Sequence, residues 1–242
     1  MKASEAEFVA LAEAGHRRES LLRMGGAAAI VGSIIFVAAG IAFGNLTHSS
    51  DPETVLRVIA SRGRMFWPMV QVGFAFGALL WVIALTALTR TLTDGASWAL
   101  SRVGVAAAFL GATIHIIDSS ISAYALGTIA WDWSATGADT TRLLAFGEIV
   151  QRMLGGTWAA VITFFHGVPF VLFGLAVALS GRYPKWLGWV GLIGGAGSLL
   201  CGIPMFFAKY LISLDFYIPF AVLLSIWMII IGVHLWTRAD EL

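Results

Sequence analysis

One apolar stretch, residues 103–131, carries a histidine, a carboxylate and two serines at helical spacing. His115 is followed by Asp118, Ser119 and Ser122, at offsets of three, four and seven residues. In an α-helix these offsets place the four side chains on one face. An imidazole and a carboxylate on adjoining turns can share a hydrogen bond or exchange a proton. This face is therefore the first candidate for a binding or catalytic site.

A second histidine occurs in the next apolar stretch, residues 157–179. His166 lies nine residues into that stretch, and His115 lies twelve residues into its own. Because consecutive membrane spans run antiparallel, both imidazoles are predicted near mid-membrane, where they can meet. Gln71, in an earlier apolar stretch, and Tyr124, further along the third, complete the set of candidate ligand-binding residues.

Ionisable groups inside a membrane span are costly, and they usually have a function. One interpretation is a pocket for a small or lipid-like molecule, or a proton relay, in a transporter, sensor or subunit of a membrane complex. Another is haem or divalent-metal ligation by His115 and His166, with Asp118 as a carboxylate ligand and with Gly111 and Gly167 leaving room for a flat cofactor. A third is an intramembrane enzyme that acts on a lipid or isoprenoid, with Asp118 as catalytic general acid. The structural alternative is a hydrogen-bonded clamp between helices.

Other chemistries lack their sequence signatures. The zinc-protease HExxH, the GxSxG elbow, the phosphate-binding loop and the dinucleotide fingerprint are all absent from the sequence. The single cysteine, Cys201, excludes a disulfide framework. Fifteen basic and 14 acidic residues give a net charge of +1, which is too small for nucleic-acid binding. We find no three-plus-three repeat and no filter motif, so conventional transport is not favoured.

The candidate residues are positioned by membrane-spanning helices. Hydrophobic residues make up 59% of the 242-residue chain and charged residues 12%, a composition typical of membrane proteins. A span needs roughly 20 apolar residues. Six stretches qualify: Met24–Phe43, Met65–Leu88, Val103–Trp131, Thr157–Leu179, Trp186–Phe207 and Leu211–Trp236. These stretches lack the two-residue alternation of barrel strands. The predicted fold is an all-α, polytopic transmembrane bundle of six spans.

The sequence divides into a membrane domain and two short flanking segments. Residues 1–23 are predicted as an amphipathic interfacial segment, 24–236 as the six-helix domain and 237–242 as a cytoplasmic tail. Residues 51–59 begin with a polar cap and a proline, which predicts a short interfacial helix. Residues 142–154 predict another, ended by a glycine pair.

Charged and aromatic residues suggest an orientation. With the N-terminus inside, nine basic residues lie on the inner side and six on the outer, which favours the cell inner membrane with both termini in the cytoplasm. Eight of the ten tryptophans fall at span ends, where interfacial anchors occur: Trp67, Trp131, Trp133 and Trp158 outside, and Trp98, Trp186, Trp189 and Trp236 inside. The expected partners are the lipid bilayer, a small hydrophobic ligand, and a membrane protein or a second copy of this chain.

Glycine and proline spacing indicates how the spans pack. Gly188, Gly195 and Gly202 recur every seventh residue, so the fifth span presents a smooth stripe to a neighbouring helix. Three prolines inside spans are expected to kink them: Pro169, Pro204 and Pro219.

Two adjoining segments carry a family resemblance. Residues 164–174 read Phe-Phe-His-Gly-Val-Pro-Phe-Val-Leu-Phe-Gly, and residues 180–189 read Ser-Gly-Arg-Tyr-Pro-Lys-Trp-Leu-Gly-Trp. This pattern, in the fourth and fifth spans, resembles a large bacterial family of six-span integral membrane proteins of unknown function. The resemblance implies the six-span fold and an inner-surface turn between the two spans. The family has no established reaction, so the resemblance implies none here.

Overall fold

The computed structural model describes residues 5–44, 51–207 and 214–239. These ranges form seven helices without a strand: α1 (Glu5–Gly44), α2 (Pro52–Ser61), α3 (Phe66–Thr89), α4 (Gly95–Trp133), α5 (Thr140–Leu179), α6 (Lys185–Met205) and α7 (Leu214–Ala239). Every helix except α2 is long and apolar enough to cross a membrane. The prediction of an all-α bundle with six spans is confirmed, and the protein is a multi-pass membrane protein.

Two helices are longer than the sequence suggested. Helix α1 runs unbroken from Glu5 to Gly44, so residues 5–23 are continuous with the first span instead of forming a separate surface helix. Helix α5 likewise joins residues 142–154 to the fourth span. A glycine pair costs only about 2 kcal/mol in a helix, whereas each backbone group left unpaired in lipid costs several kcal/mol. At the other terminus, α7 continues through the predicted tail as far as Ala239, and residues 240–242 lie outside the described ranges.

The short helix α2 forms as predicted. The Asp51 carboxylate accepts hydrogen bonds from the Thr54 backbone nitrogen (2.9 Å) and hydroxyl (2.6 Å), and Pro52 occupies the first turn. The Thr54 hydroxyl, with the backbone amide, holds the pKa of the Asp51 carboxyl below its ordinary value. The buried face of α2 packs against the ends of α3 and α4 through Val55, Leu56 and Ile59.

The six spans form a closed ring in chain order. Helix α1 packs on α3, α3 on α4, α4 on α5, α5 on α6, α6 on α7, and α7 returns to α1. The α1–α7 contact is made through backbone at two glycines: a Cβ built on Gly26 would lie 2.7 Å from the Gly232 carbonyl oxygen, and one on Gly232 would lie 2.8 Å from the Gly26 oxygen. We call the side where α2 lies the α2 end. The opposite side, with the short connections 90–94 and 180–184, is the loop end.

Helix α6 has a glycine row on each of two sides. A Cβ at any glycine of the predicted stripe would lie within 2.9 Å of an α5 backbone nitrogen, which confirms the stripe at Gly188, Gly195 and Gly202. A second row faces side chains of α7 and consists of Gly191, Gly194 and Gly197. Close backbone approach of this kind holds helices together where lipid offers no hydrophobic contrast.

Tryptophans differ between the two ends. The four loop-end residues are 43–56% exposed, as interfacial anchors should be: Trp98, Trp186, Trp189 and Trp236. At the α2 end, Trp67 is only 1% exposed, and its indole nitrogen donates to the Ser122 carbonyl oxygen at 2.9 Å. Trp67 lies at the end of its span, but the prediction that it is an anchor of an interfacial girdle is wrong, because its ring faces inward and its indole nitrogen donates to a backbone acceptor on α4.

A polar network, which we call the loop-end clasp, joins Thr91, Asp94, Arg182, Tyr183 and Arg238. The Thr91 and Tyr183 hydroxyls lie 2.8 Å apart, and an Arg182 nitrogen lies 3.3 Å from an Asp94 carboxylate oxygen. Arg238 donates to the Arg182 carbonyl oxygen, and its guanidinium lies 4.2 Å above the Tyr183 ring. Burial raises the pKa of the Tyr183 hydroxyl above its ordinary value, although the Thr91 hydrogen bond acts in the opposite direction. The clasp ties both short connections to the end of α7.

Candidate functional site

Aromatic rings, including two imidazoles, from five of the six spans meet in the interior of the ring of helices. We call this set the central cluster: Phe36 of α1, Phe74 and Trp81 of α3, His115 of α4, Trp158, Phe165 and His166 of α5, and Tyr217 of α7. Because the helices follow one another around the ring, residues far apart in sequence converge here. The cluster contains both histidines that the sequence singled out.

His115 is completely buried among aromatic rings. Its imidazole stacks on Phe36 at a centroid distance of 5.5 Å and on Phe165 at 5.6 Å, with interplanar angles of 14° and 11°. Phe74 meets it edge-on at 5.8 Å, and the Trp158 ring lies at 6.0 Å. These are the offset and edge-on distances that aromatic pairs prefer.

His166, on α5, is 2% exposed and contacts two of the rings that surround His115, Phe36 and Phe165. Its centroid lies 4.8 Å from Phe165 and 5.7 Å from Tyr217. The two imidazole centroids are 6.1 Å apart at an interplanar angle of 85°, so the rings meet edge to face. The structure thus brings together the two histidines that were placed at matching depth from the sequence.

Several buried polar atoms in and beside the cluster have no hydrogen-bond partner in the described part of the chain. They are His115 Nδ1 and Nε2, His166 Nδ1, Ser119 Oγ, Thr163 Oγ1 and Trp158 Nε1. An unsatisfied buried donor or acceptor costs about 1–3 kcal/mol. Most buried polar groups in proteins are paired, so unpaired polar atoms on two adjoining helices, α4 and α5, require a physical explanation.

Asp118 is buried beside the cluster but is not paired with His115. Its carboxylate accepts a hydrogen bond from the Thr157 hydroxyl of α5, whereas neither nitrogen of His115 has a partner in the described residues. The predicted His115–Asp118 hydrogen bond is therefore wrong. The reason is geometric: the imidazole is enclosed by rings of the cluster, and the carboxylate one turn further along reaches across to α5.

The remaining candidate residues occupy different surroundings. Ser119, Ser122 and Gln71 are buried, at 2%, 5% and 3% exposure. The Ser122 carbonyl oxygen is the acceptor for Trp67. Tyr124, by contrast, is 80% exposed on the outside of α4, so the structure does not bring it to the cluster.

Each histidine-bearing helix contains a widened, π-helical turn, which includes the histidine in α5 and lies beyond it, toward the α2 end, in α4. Residues Ser122–Leu126 form one turn in α4, and Ile162–Gly167, which include His166, form the other in α5. In α5, Pro169 has no N–H for the carbonyl one turn earlier, and the Val168 nitrogen donates five residues back, to Thr163. Single π-helical turns are frequent at functional sites. The kink expected at Pro169 takes this form, whereas Pro204 and Pro219 lie near helix ends.

Metal and haem ligation receive little support from the geometry. No group of three histidine, cysteine or carboxylate side chains converges within the described ranges, so the two-histidine, one-carboxylate arrangement does not form there. The space expected beside two glycines is also filled. A Cβ on Gly111 would come within 2.5 Å of Phe165 Cα, and one on Gly167 within 2.5 Å of Leu199 Cδ2. These glycines serve close helix packing and do not accommodate a flat macrocycle.

Several members of the site could not be identified from the sequence. Thr157 and Trp158 stand at the beginning of a predicted span, where tryptophan is ordinarily an interfacial anchor. Phe36 and Tyr217 are unremarkable aromatic residues in apolar helices. The signal that identifies them is the order of the helices around the ring, because it shows which faces converge on His115.

The comparisons with known proteins agree with the fold. No curated protein and no solved structure matches the chain significantly. The sequence profile of a family described as "Domain of unknown function (DUF4386)" matches residues 53–238. That match covers α2 through α7 almost entirely, including both histidine-bearing helices, and it confirms the resemblance to a six-span family of unknown function. The chain belongs to the DUF4386 family.

Proposed function

We propose that this protein binds a small, largely apolar molecule inside its helical ring, at the central cluster. The observation that carries the proposal is the state of His115. Its ring is fully buried, yet neither nitrogen has a hydrogen-bond partner among the described residues. An imidazole carries at least one N–H in every protonation state, so a donor is always left unsatisfied there.

A binding site and a clamp between helices differ in whether their polar groups pair with each other. A clamp would pair its polar groups across helices, as Thr157 and Asp118 do. The unpaired nitrogens, by contrast, cost about 1–3 kcal/mol each, a penalty that a phenylalanine at the same position would avoid. A bound molecule that forms the missing hydrogen bonds would offset this penalty. The proposal also agrees with the general rule that ionisable residues inside a membrane are usually functional.

Four of the sequence-predicted candidates have a role in this proposal: His115, His166, Ser119 and Asp118. His115 and His166 make polar contacts to the ligand, and the hydroxyls of Ser119 and Thr163 lie one turn from them on the same helices. The surrounding aromatic rings contact its apolar part. Asp118, through Thr157, positions α4 against α5. A general-acid role for Asp118 would require turnover that Asp118→Asn abolishes while the protein still folds.

The proposal extends to location and orientation. Arg90, Arg102, Arg182, Lys185 and Arg238 all lie at or near the loop end, which favours that end as the cytoplasmic one of an inner-membrane protein. A reporter fused after residue 242 should then be active in the cytoplasm. Periplasmic activity of the reporter would reverse the orientation.

Phenol tests internal binding, because it combines an apolar ring with one hydrogen-bonding group. Protein in lipid nanodiscs, labelled with ¹⁵N-histidine, should show saturable shifts of the His115 resonances on phenol titration. His115→Phe keeps an aromatic ring of similar size and should weaken binding, measured by calorimetry, by about tenfold. His234→Phe is the matched control, because the His234 ring lies 5.9 Å from Tyr183 at the loop end, outside the cluster, and this variant should bind normally. Absence of saturable binding of phenol and of every other neutral aromatic probe by the unaltered protein, or unchanged phenol affinity in His115→Phe, would contradict the proposal.

A further inference from the structure

The unpaired polar atoms of the central cluster and of the adjoining helical turns differ in whether a ligand must donate or accept a hydrogen bond. Serine, threonine and neutral histidine can each donate or accept a hydrogen bond, so they accommodate many ligands. The indole nitrogen of Trp158 can only donate. It is buried and has no acceptor among the described residues. Whatever satisfies Trp158 must therefore present an acceptor.

Trp158 and His115 lie next to each other in the cluster. Their ring centroids are 6.0 Å apart, at an interplanar angle of 38°. They belong to different helices, α5 and α4, and both rings also contact Phe74. One carbonyl oxygen has two lone pairs and can accept from two N–H donors.

The rest of the cluster indicates a flat, uncharged ligand. Phe36 and Phe165 lie nearly parallel to His115, so the surroundings of its nitrogens are flat aromatic faces, which favour a planar ligand. The nearby carboxylate, Asp118, already accepts from Thr157, and no set of metal-ligating side chains forms in the described ranges. An unpaired charge among aromatic rings would be costly to bury.

We propose that the ligand of the central cluster is a neutral ring compound that presents a carbonyl oxygen to the Trp158 and His115 N–H donors. This inference rests on the proposed function and adds the chemical class of the ligand to it. The site therefore selects a hydrogen-bond acceptor over a hydrocarbon of the same shape and over a cation.

Two probes of nearly equal shape test this selectivity. Acetophenone carries a carbonyl oxygen where α-methylstyrene carries a CH₂ group. Calorimetry in nanodiscs should show acetophenone binding about tenfold more tightly, the size expected for one or two neutral hydrogen bonds. Benzylamine, a cation of similar size, should not bind. Acetophenone, but not α-methylstyrene, should shift the ¹⁵N–H resonance of the Trp158 indole.

Variants separate the donor from the surrounding packing. Trp158→Phe should lower acetophenone affinity severalfold, toward that of α-methylstyrene, because only the His115 donor remains, and the affinity of α-methylstyrene itself should not change. Trp131→Phe removes another unpartnered indole, outside the cluster, and should leave the preference intact. If Trp158→Phe does not fold, the indole resonance of the unaltered protein still decides the question.

The outcomes distinguish this inference from the proposed function. Equal binding of acetophenone and α-methylstyrene would overturn the acceptor inference and leave internal binding standing. Binding of phenol alone, or preferential binding of benzylamine, would also overturn the inference. Failure of phenol and both other neutral probes to bind would refute the proposed function itself.

Discussion

The loop-end clasp and the central cluster each contain buried polar groups, but these groups are paired in the clasp and unpaired in the cluster. In the clasp, Tyr183 pairs with Thr91 and is covered by Arg238, and Arg182 reaches Asp94. In the cluster, the nitrogens of His115 have no partner in the described chain. Both regions join helices that are distant in sequence, so contacts within one helix do not explain why the polar groups are paired in one region and unpaired in the other.

This contrast indicates which region serves stability and which serves binding. A network whose members satisfy one another lowers the free energy of the folded state by itself. A region that leaves donors unpaired raises that free energy until another molecule supplies partners. Equivalent substitutions in the two regions should therefore change stability in opposite directions.

The largest effect is expected at His115. His115→Phe, in protein without added ligand, should raise the free energy of unfolding by about 1–3 kcal/mol, because it removes unsatisfied nitrogens and keeps a stacked ring. Denaturation by SDS titration in mixed micelles measures this change. Phe74→Leu, which removes a ring of the same cluster and no polar atom, should instead lower stability. A loss of stability in His115→Phe would support the clamp and contradict the contrast.

Tyr183→Phe should have the opposite sign. It removes the hydroxyl that pairs with Thr91 inside the clasp, and the free energy of unfolding should fall by about 0.5–1.5 kcal/mol. The same titration measures the change. Tyr124→Phe removes a hydroxyl from an exposed tyrosine and should stay within about 0.5 kcal/mol. Equal effects of the two substitutions would argue against the clasp.

The Tyr183 contribution should depend on alkaline pH. Burial raises the folded-state pKa above the ordinary value of 10.0. The stabilisation is complete below that value and is lost as pH rises from there through the folded-state pKa, with a slope of at most about 1.4 kcal/mol per pH unit. The stability gap between the unaltered protein and Tyr183→Phe should thus be constant up to about pH 9 and shrink above 10. A gap independent of pH would show that Tyr183 does not titrate differently on unfolding.

The smallest effect is expected at the rim of the clasp. Arg182 faces an Asp94 side chain that is 69% exposed, so solvent screens the pair. Arg182→Gln should lower stability by less than about 1 kcal/mol, and high salt should remove most of the difference. The backbone oxygen that accepts from Arg238 is retained in this variant. If Arg182→Gln lowered the free energy of unfolding by more than Tyr183→Phe does, the ion pair would be the main source of the stability that the clasp provides.

The sequence predicted the spans and the glycine stripe of α6 well, because both depend on local patterns. Apolar length determines a span, and seven-residue spacing aligns Gly188, Gly195 and Gly202 whatever the partner helix is. The depth argument also placed His115 and His166 correctly relative to each other, since antiparallel connection fixes depth.

Partner choice could not be predicted in the same way. Asp118 was paired with His115 because helical spacing shows only neighbours on one helix, and its actual partner, Thr157, comes from the next one. Trp158 resembled an interfacial anchor for the same reason. Helix ends were uncertain as well: the glycine pair before Thr157 suggested a break, but in lipid an unbroken hydrogen-bond ladder outweighs glycine's weak helix propensity.

The glycine contact between Gly26 and Gly232 joins the first spanning helix to the last. During synthesis the helices emerge in order, so α1 must wait for the whole remaining chain before its second neighbour arrives. Tyr217 is the member of the central cluster that arrives with this last helix. The ring of helices around the central cluster is thus closed last, and a chain arrested before α7 would leave His166 without its Tyr217 neighbour.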